Sequence, residues 1–143
     1  MSDERAIRSL LDRYTKSIGA KDAAATLACY SSDIVAFDLA PPLEQRAEVL
    51  LDPDNIQEWF DTWDGPIGSE SKDLTILVGG DLAYAFSLQH MTGQKRDGEK
   101  VDLWFRATAT FQKLHGEWKI THIHNSVPFA MDGSERALLD LKP

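Results

Sequence analysis

The chain has 143 residues, of which 43% are apolar and 27% charged, and this ordinary composition predicts one globular domain over residues 1–143. Its 15 Lys and Arg residues against 23 Asp and Glu residues give a net charge of −8, which argues against nucleic acid or an anionic membrane as a partner. A lone cysteine, a charged N-terminus and the lack of an apolar run of roughly 20 residues predict a cytoplasmic protein without a disulfide, a signal peptide or a membrane span.

The first part of the chain is predicted to be helical. Apolar residues recur at helical spacing over residues 3–19, and Ser2 precedes them as a candidate N-cap. Asp22 can cap a second, short helix that extends to Tyr30. The β-rich run 34–39 then predicts the first strand.

A third helix is predicted to begin at Asp52 and Pro53, a favourable N-cap and first helical residue, and to run to Trp63. Its spacing buries four large side chains, which are Ile56, Trp59, Phe60 and Trp63. From Lys72 onward the apolar period changes from helical to two. Four strands joined by short turns are predicted there, over residues 72–78, 82–92, 100–114 and 118–127.

Helices followed by an antiparallel meander predict an α+β fold. A long antiparallel sheet that is covered on one face by helices curls around them, and the space between the two layers can become a closed-ended cone. The pattern therefore favours a pocket between the helices and the sheet.

Specific residues carry a resemblance to a known family. The segments 106–108 and 116–129 resemble the C-terminal signature of SnoaL-like proteins, and also the association domain of calcium/calmodulin-dependent kinase II. The segments 59–67 and 138–143 are similar to a bacterial subgroup usually labelled ketosteroid-isomerase-like. That subgroup commonly has a carboxylate between its two strand histidines, where this chain has Ile123.

The resemblance implies a cone-shaped nuclear-transport-factor-2-like (cystatin-like) fold, in which N-terminal helices pack on a strongly curved antiparallel sheet. It also implies a homodimer that pairs through the exposed face of the sheet. No cofactor is predicted. The superfamily contains isomerases, cyclases, dehydratases, epoxide hydrolases and inert assembly domains, so the resemblance specifies the fold better than the reaction.

Compared with ketosteroid isomerases, Tyr14 and Asp38 occupy places similar to the oxyanion-hole tyrosine and the carboxylate that moves the proton. A carboxylate abstracts the proton α to a carbonyl, and a tyrosine hydroxyl hydrogen-bonds the developing enolate. The second oxyanion donor of those enzymes is a protonated aspartate, and the roughly corresponding position here is Thr110 or a neighbour, a weaker donor. Tyr14 also fits an ordinary core stripe, and Asp38 also fits a turn or a cap, so both alternatives stay open.

Alternate residues of a strand share a face, and this rule places polar side chains together in the last hairpin. Two rows lie side by side there: Trp104, Arg106 and Thr108 on one strand, and His122, His124 and Ser126 on the other. With Arg106 facing inward, as the resemblance implies, these rows form a polar patch at one end of an apolar cavity, where Trp63 and Trp104 add ligand contacts.

Three interpretations of the histidine pair His122 and His124 stay open. In the first, the histidines are structural and are hydrogen-bonded within the sheet or at a dimer interface. In the second, they act in the pocket beside Arg106, as a proton carrier or as a donor to a ligand. In the third, the two histidines bind zinc. Such a site would need a third protein ligand, from His90 or an acid, and no metal is predicted.

One observation conflicts with an inward Arg106. The other face of the same strand is apolar and needs a cover of helices or of a partner; its residues are Leu103, Phe105, Ala107 and Phe111. The alternation shows which residues share a face but does not show which face is covered.

The predicted function is the binding of a small, mostly apolar molecule that carries a carbonyl, hydroxyl or carboxylate group. As an enzyme, the protein would transfer protons as an isomerase, cyclase or dehydratase, with Asp38 as base, Tyr14 and His124 as donors and Arg106 orienting the substrate. One alternative is a non-catalytic homodimeric association or ligand-sensing domain. Another is the addition of water to an epoxide, in which Arg106 with Asp38 or Asp102 would supply part of an Asp-Arg-Asp set.

Overall fold

A computed structural model describes residues 2–143. Within that range the helices are α1 (Asp3–Gly19), α2 (Ala23–Leu27), α3 (Ala47–Leu50) and α4 (Pro53–Phe60). The strands are β1 (Tyr30–Phe37), β2 (Trp63–Gly79), β3 (Leu82–Lys95), β4 (Lys100–Leu114) and β5 (Glu117–Ser126). No helix of this part of the chain is both long and apolar enough to cross a membrane.

The predicted helix starts are confirmed by their capping hydrogen bonds. The Ser2 hydroxyl accepts a hydrogen bond from the Arg5 amide at 3.2 Å, and the Asp22 carboxylate accepts one from the Ala25 amide at 3.1 Å. Asp52 caps α4 in the same way, with a proline following it in the first turn. Each cap satisfies an amide that the first turn of a helix otherwise leaves unpaired.

Several element boundaries differ from the prediction: α2 ends at Leu27, and β1 begins at Tyr30, where the sequence predicted the end of that helix. The helix expected to reach Trp63 ends at Phe60, and Trp63 instead begins β2, which is 17 residues long. The pairing of β2 with β3 shifts register between Asp64 and Gly68 and again between Lys72 and Thr75. Each shift interrupts the alternation of inward and outward side chains, so the first half of this strand has no period-two signal in the sequence.

The five strands form one sheet in the order β1-β5-β4-β3-β2. Strands β2 to β5 pair with their chain neighbours in antiparallel fashion, which confirms the predicted meander. The first strand lies at the edge and pairs in parallel with β5. The helices lie on one face, so the α+β cone predicted from the sequence is confirmed.

Apolar side chains collect in two separate cores between the helices and the sheet. The first contains Ile7, Leu10, Cys29, Ile34, Ala83, Ala85, Phe111, Trp118 and Ile120. The second contains Phe60, Trp63 and Ile67, with Ile18, Ala23, Ile56, Met91 and Val101 packed against it. Helix α1 spans both cores, because Ile7 and Leu10 belong to the first and Ile18 packs on the second.

We call the sheet face that packs on the helices the inner face, and the opposite one the outer face. In β4, Phe111 is buried in the first core and Val101 packs on the second, so the odd-numbered residues between them are on the inner face. In β3, Ala85 and Met91 define the inner face in the same way.

Candidate functional site

The polar row predicted on β4 lies on the outer face. Arg106 is exposed and is an odd number of residues from Phe111, on a strand that pairs with β3 without a register shift. The expectation that Arg106 faces an enclosed interior is therefore wrong: the apolar residues of β4 are on the side of the helices instead. The same face holds the other members of the predicted patch, which are Trp104, Thr108, His122, His124 and Ser126.

A β-bulge interrupts β5, so the alternation that would put Ile120 on the same face as His122 and His124 fails. The register of the β4–β5 pairing shifts between Thr110, whose partner is His122, and Phe111, whose partner is Ile120. The extra residue, Thr121, reverses the alternation, so Ile120 is buried inside while His122 faces outward. The Thr121 hydroxyl is 2.7 Å from that of Thr110, which is likewise on the outer face and therefore cannot be the second oxyanion donor beside Tyr14.

The histidine pair is held within the outer surface. His122 Nδ1 donates a hydrogen bond to the Val35 carbonyl oxygen at 2.7 Å, and the ring of Phe37 lies edge-on to His122 at 4.6 Å and to His124 at 5.4 Å. Arg106 Nε donates to the Ser126 hydroxyl at 3.1 Å. These contacts support the structural interpretation of His122, and the outward position of His124 separates it from Asp38 on the inner side.

The most strongly paired histidine on the outer face is His90. Its Nδ1 is 2.7 Å from a Glu70 oxygen, its Nε2 is 2.5 Å from an Asp102 oxygen, and its ring stacks on Trp104 with centroids 4.4 Å apart. Hydrogen bonds to Glu70 and then to Asp102 raise the pKa of His90, and the hydrogen bond with His90 lowers the pKa of Asp102. Both ring nitrogens are engaged, so His90 supplies no third ligand beside His122.

No group of three histidine, cysteine, aspartate or glutamate side chains within residues 2–143 is arranged to hold a metal ion. The epoxide-hydrolysis set is not assembled either, since Arg106 and Asp102 are on the outer face and Asp38 is not. The surface depressions include one of about 290 Å³ beside His90 and one of about 330 Å³ formed by residues 130–140. Neither is lined by the residues that carry the inner-face chemistry.

The two tyrosines on the inner side form a hydroxyl pair. Tyr14 lies on the buried stripe of α1 between Leu10 and Ile18, and its hydroxyl is 3.0 Å from that of Tyr30, the first residue of β1. Their rings are tilted by 53° with centroids 5.8 Å apart. Sequence reasoning selected Tyr14 and missed Tyr30, whose position in an expected helix end gave no sign that it begins a strand.

Asp38 follows β1 directly and is fixed from two sides. One carboxylate oxygen accepts a hydrogen bond from the Leu39 amide at 2.7 Å and another from Asn125 Nδ2 at 3.2 Å. Asn125 is on the inner face of β5, opposite Ala107 of β4. Asn125 was also missed from the sequence, because without the bulge at Thr121 the alternation places it outside.

Burial is the main reason that the pKa of Tyr14 lies well above its ordinary value, followed by its proximity to Tyr30 and the negative charge of Asp38. Burial also raises the pKa of Tyr30 to about 12, with a further contribution from Asp38 and an opposing one from the hydrogen bond with Tyr14. Both phenols thus remain protonated hydrogen-bond donors at neutral pH, within the field of one carboxylate.

Part of the inner face of β4 lies outside both cores, whereas Tyr14 and Tyr30 pack on the first core. Leu103, Phe105 and Ala107, on the inner face of β4 between Val101 and Ala109, belong to neither core among the described residues. These side chains are only half-buried although they face the helices, as are Ser87, Gln89, Asn125 and Tyr14. The inner face is therefore partly accessible along this stretch.

Trp63, a predicted ligand contact, is fully buried in the second core. One edge of its ring lies against Gly93, where an added Cβ would be 2.7 Å from the Cζ3 atom of the tryptophan. Its indole N–H has no hydrogen-bond partner among the described residues. Trp63 is thus a core residue, as the helical spacing of its aromatic neighbours also predicts.

Comparison with known proteins agrees with this architecture. The SnoaL-like domain family matches residues 7–130. A nuclear-transport-factor-2-like protein of unknown function from Pseudomonas putida is 32% identical, with a TM-score of 0.85, and the match covers 100% of this chain and 99% of that one. No match was found among the curated proteins.

Two more distant structures share the fold. A candidate scytalone dehydratase from Novosphingobium aromaticivorans has a TM-score of 0.78 at 16% identity, over 96% of this chain and 91% of that one. A candidate calcium/calmodulin-dependent protein kinase II association domain from Xanthomonas campestris has a TM-score of 0.71 at 20% identity, over 93% and 91% of the two chains.

Proposed function

This chain belongs to the SnoaL-like family, and on that premise we propose that it is a small-molecule-binding enzyme that moves a proton next to a carbonyl group. Asp38 is the base, and the Tyr14 hydroxyl, supported by Tyr30, is the donor to the carbonyl oxygen. The observation that carries the proposal is the convergence of a fixed carboxylate and two desolvated, protonated phenols on the inner side of the sheet.

The proposed step conserves atoms and electrons without a cofactor. The Asp38 carboxylate takes the proton from the carbon α to the carbonyl, the C–H electron pair forms the C=C bond of an enolate, and the carbonyl π pair moves to the oxygen. The Tyr14 hydroxyl hydrogen-bonds that oxygen and stabilises its developing charge. In a substrate with a β,γ double bond the enolate is conjugated, and return of the proton to the γ carbon gives an isomer. In a substrate with a β-hydroxyl group, loss of that group with the proton as water gives dehydration, the activity in the name of one fold relative.

Asn125 has a positioning role in this proposal. Its amide holds the Asp38 oxygen at 3.2 Å, and the Leu39 amide holds the same oxygen at 2.7 Å. One oxygen of the carboxylate is thereby fixed, and the other is left to receive the proton.

The test is the exchange of the α protons of 2-tetralone, a neutral two-ring ketone, for deuterium in D₂O, followed by NMR. The wild-type protein is expected to accelerate the exchange. Asp38→Asn is expected to lower the catalysed rate by about 10²- to 10⁴-fold, the usual contribution of a general base, and Tyr14→Phe by about 10²- to 10³-fold, that of one oxyanion donor.

The matched control is Asp12→Asn, which neutralises an exposed carboxylate on the solvent side of α1 and is expected to leave the rate unchanged. Circular dichroism of each variant verifies that the fold is intact. An exchange rate that does not differ between the wild type and Asp38→Asn contradicts the proposal.

We further propose that a second copy of the chain covers the outer face of the sheet. That face exposes a group of apolar side chains on β2 and β3, which are Leu77, Leu82, Tyr84 and Phe86. The rings of Tyr84 and Phe86 stack there, with centroids 6.3 Å apart. Apolar groups of this kind on a bare sheet are typical of protein interfaces, and a homodimer is compatible with both the catalytic and the association-domain alternatives.

A further inference from the structure

We propose that a C-terminal arm of one copy of the chain packs against an apolar patch of a second copy, and that the second copy does the same in return. The arm is residues 128–141. The patch is the group of outer-face side chains Leu77, Leu82, Tyr84 and Phe86. This inference rests on the proposed homodimer and is independent of the proposed catalysis. It adds which part of each chain meets which part of its partner.

The arm is a small hairpin that follows β5. Phe129 and Ala137 form an isolated antiparallel bridge within it. The Leu138 amide donates a hydrogen bond to the Pro128 carbonyl oxygen at 2.8 Å, which closes the hairpin at its base. The arm therefore has a defined shape that its own backbone hydrogen bonds maintain.

The apolar side chains of the arm are left largely uncovered by its own chain. Neither core includes any of them among the described residues. Four are exposed, with exposed fractions from 46% to 87%, and these are Phe129, Met131, Leu139 and Leu141. An ordered segment that presents this much apolar surface indicates a contact with another molecule.

The arm and the patch are at opposite ends of the sheet. Lys142, directly after the arm, has its ammonium group 4.0 Å from an Asp102 carboxylate oxygen near the start of β4. Leu82 of the patch pairs with Gln112, near the end of the same strand. Positions 102 and 112 are ten residues apart, which is about 33 Å at the usual rise of a strand. The arm thus does not lie on the patch of its own chain.

A second copy offers what each of the two surfaces lacks. In a dimer whose two-fold axis runs across the strands, opposite ends of the two sheets meet, so each arm is brought to its partner's patch and both contacts form at once. An axis along the strands would instead bring like ends together. It would place the carboxylates that flank His90, which are those of Glu70 and Asp102, near the same pair of the second copy. The axis across the strands is therefore favoured.

The patch can receive apolar side chains without the burial of a charge. The outer-face residues around it on β3 and β4 are uncharged, and they are Leu82, Tyr84, Phe86, Leu88, Thr108, Thr110 and Gln112. The stacked rings of Tyr84 and Phe86 provide a flat apolar surface. Leucine and methionine side chains of the arm are stabilised on such a surface because both partners leave water, whereas a charged segment would lose its hydration there.

The experiment is disulfide cross-linking between two variants that each carry one added cysteine. Leu139→Cys places a thiol on the arm, and Leu82→Cys places one on the patch. The two chains carry tags of different length, are mixed and allowed to exchange subunits, and are oxidised with copper phenanthroline. Native Cys29 is 3% exposed and is expected to stay unreactive. The matched control is Leu43→Cys, which replaces an exposed leucine of the loop after β1, outside both surfaces.

The arm and patch variants are expected to form a mixed disulfide at least about 10-fold faster than either forms one with the control variant, because the dimer holds their thiols at a high local concentration. Analytical ultracentrifugation of the wild type gives the oligomeric state independently. Two results in a dimer would overturn this inference and leave the proposed homodimer standing. One is a patch variant that cross-links to itself faster than to the arm variant, and the other is a mixed disulfide that forms no faster than the control products. A monomeric wild type overturns the homodimer, and this inference with it.

Discussion

The inner and outer faces of the sheet carry different kinds of polar residue. The outer face has the residues that are conspicuous in the sequence, such as Arg106 and the histidine pair, and each is exposed or paired with a neighbour on that surface. The inner face has few charges, and its polar groups are two tyrosines, two amides and two serines beside one carboxylate. Burial raises the pKa of both inner tyrosines, whereas solvent and pairing satisfy the outer groups, so residue type alone is a poor guide to the site.

The largest difference between the faces is expected in stability. Phe111 is 1% exposed in the first core, and Phe111→Ala should lower the free energy of unfolding by about 3–5 kcal/mol, because it leaves a cavity in packed surroundings. Thr108→Ala, on the exposed face of the same strand, should lower it by less than about 1 kcal/mol. Urea denaturation of both variants measures the difference, and equal losses would show that the faces have been assigned the wrong way round.

A charge on the outer face should break the proposed dimer. Phe86 is 45% exposed in one chain, and Phe86→Glu would bury an unpaired carboxylate in the interface. The dimer dissociation constant is expected to rise on the order of 100-fold, as measured by analytical ultracentrifugation. Leu43→Glu, at a loop position that is 96% exposed, is the control and should leave the constant unchanged. A wild-type chain that sediments as a monomer contradicts the proposed dimer.

The positioning role of Asn125 predicts a smaller effect, confined to the inner face. Asn125→Ala removes one hydrogen bond to Asp38 and should lower kcat for 2-tetralone exchange by roughly 3- to 10-fold with little change in KM. Its neighbour Ser126 points outward, and Ser126→Ala should leave both constants unchanged. If the two alanine variants behave alike, Asn125 does not act through Asp38.

The smallest expected effect concerns the pH response of the outer face. Because its carboxylate partners raise the pKa of His90 in the folded state, the stabilisation by this pair is fully present below the unfolded pKa and is lost as pH rises through the folded pKa. Asp102→Asn should therefore lower the pKa of His90 in an NMR titration, and its effect on stability should shrink as the pH rises above the ordinary histidine pKa of about 6.5. Asp97→Asn, in the β3–β4 turn, is the control. An unchanged His90 titration in Asp102→Asn would contradict the pairing.

Much of the fold could be predicted from local chemistry. Capping residues marked the starts of α1, α2 and α4, and the turns marked the meander, because these signals depend on a few adjacent residues. The bounds of β4 are the same in the prediction and in the structure. The start of β2 was missed, since register shifts leave no regular alternation there.

The site was harder to predict because its residues come together only through the tertiary structure. A single bulge at Thr121 reversed the faces of β5, turning the histidines outward and Asn125 inward. Tyr14 and Asp38 were selected by their resemblance to known positions, whereas Tyr30 depends on where β1 begins. The apolar residues of β4 correctly indicate which face of the strand is on the side of the helices, whereas the resemblance places Arg106 on that side.

The central claim is that ligand chemistry belongs to the inner face of the sheet. The most direct test is to add 2-naphthol, a phenol that resembles the enolate of 2-tetralone, and record nuclear Overhauser effects from the ligand to the methyl groups of Ala107 and Thr108, which are adjacent in β4 but on opposite faces. The account predicts contacts to the Ala107 methyl group and none to that of Thr108. Contacts to Thr108 without Ala107 would place the ligand on the outer face and contradict the account.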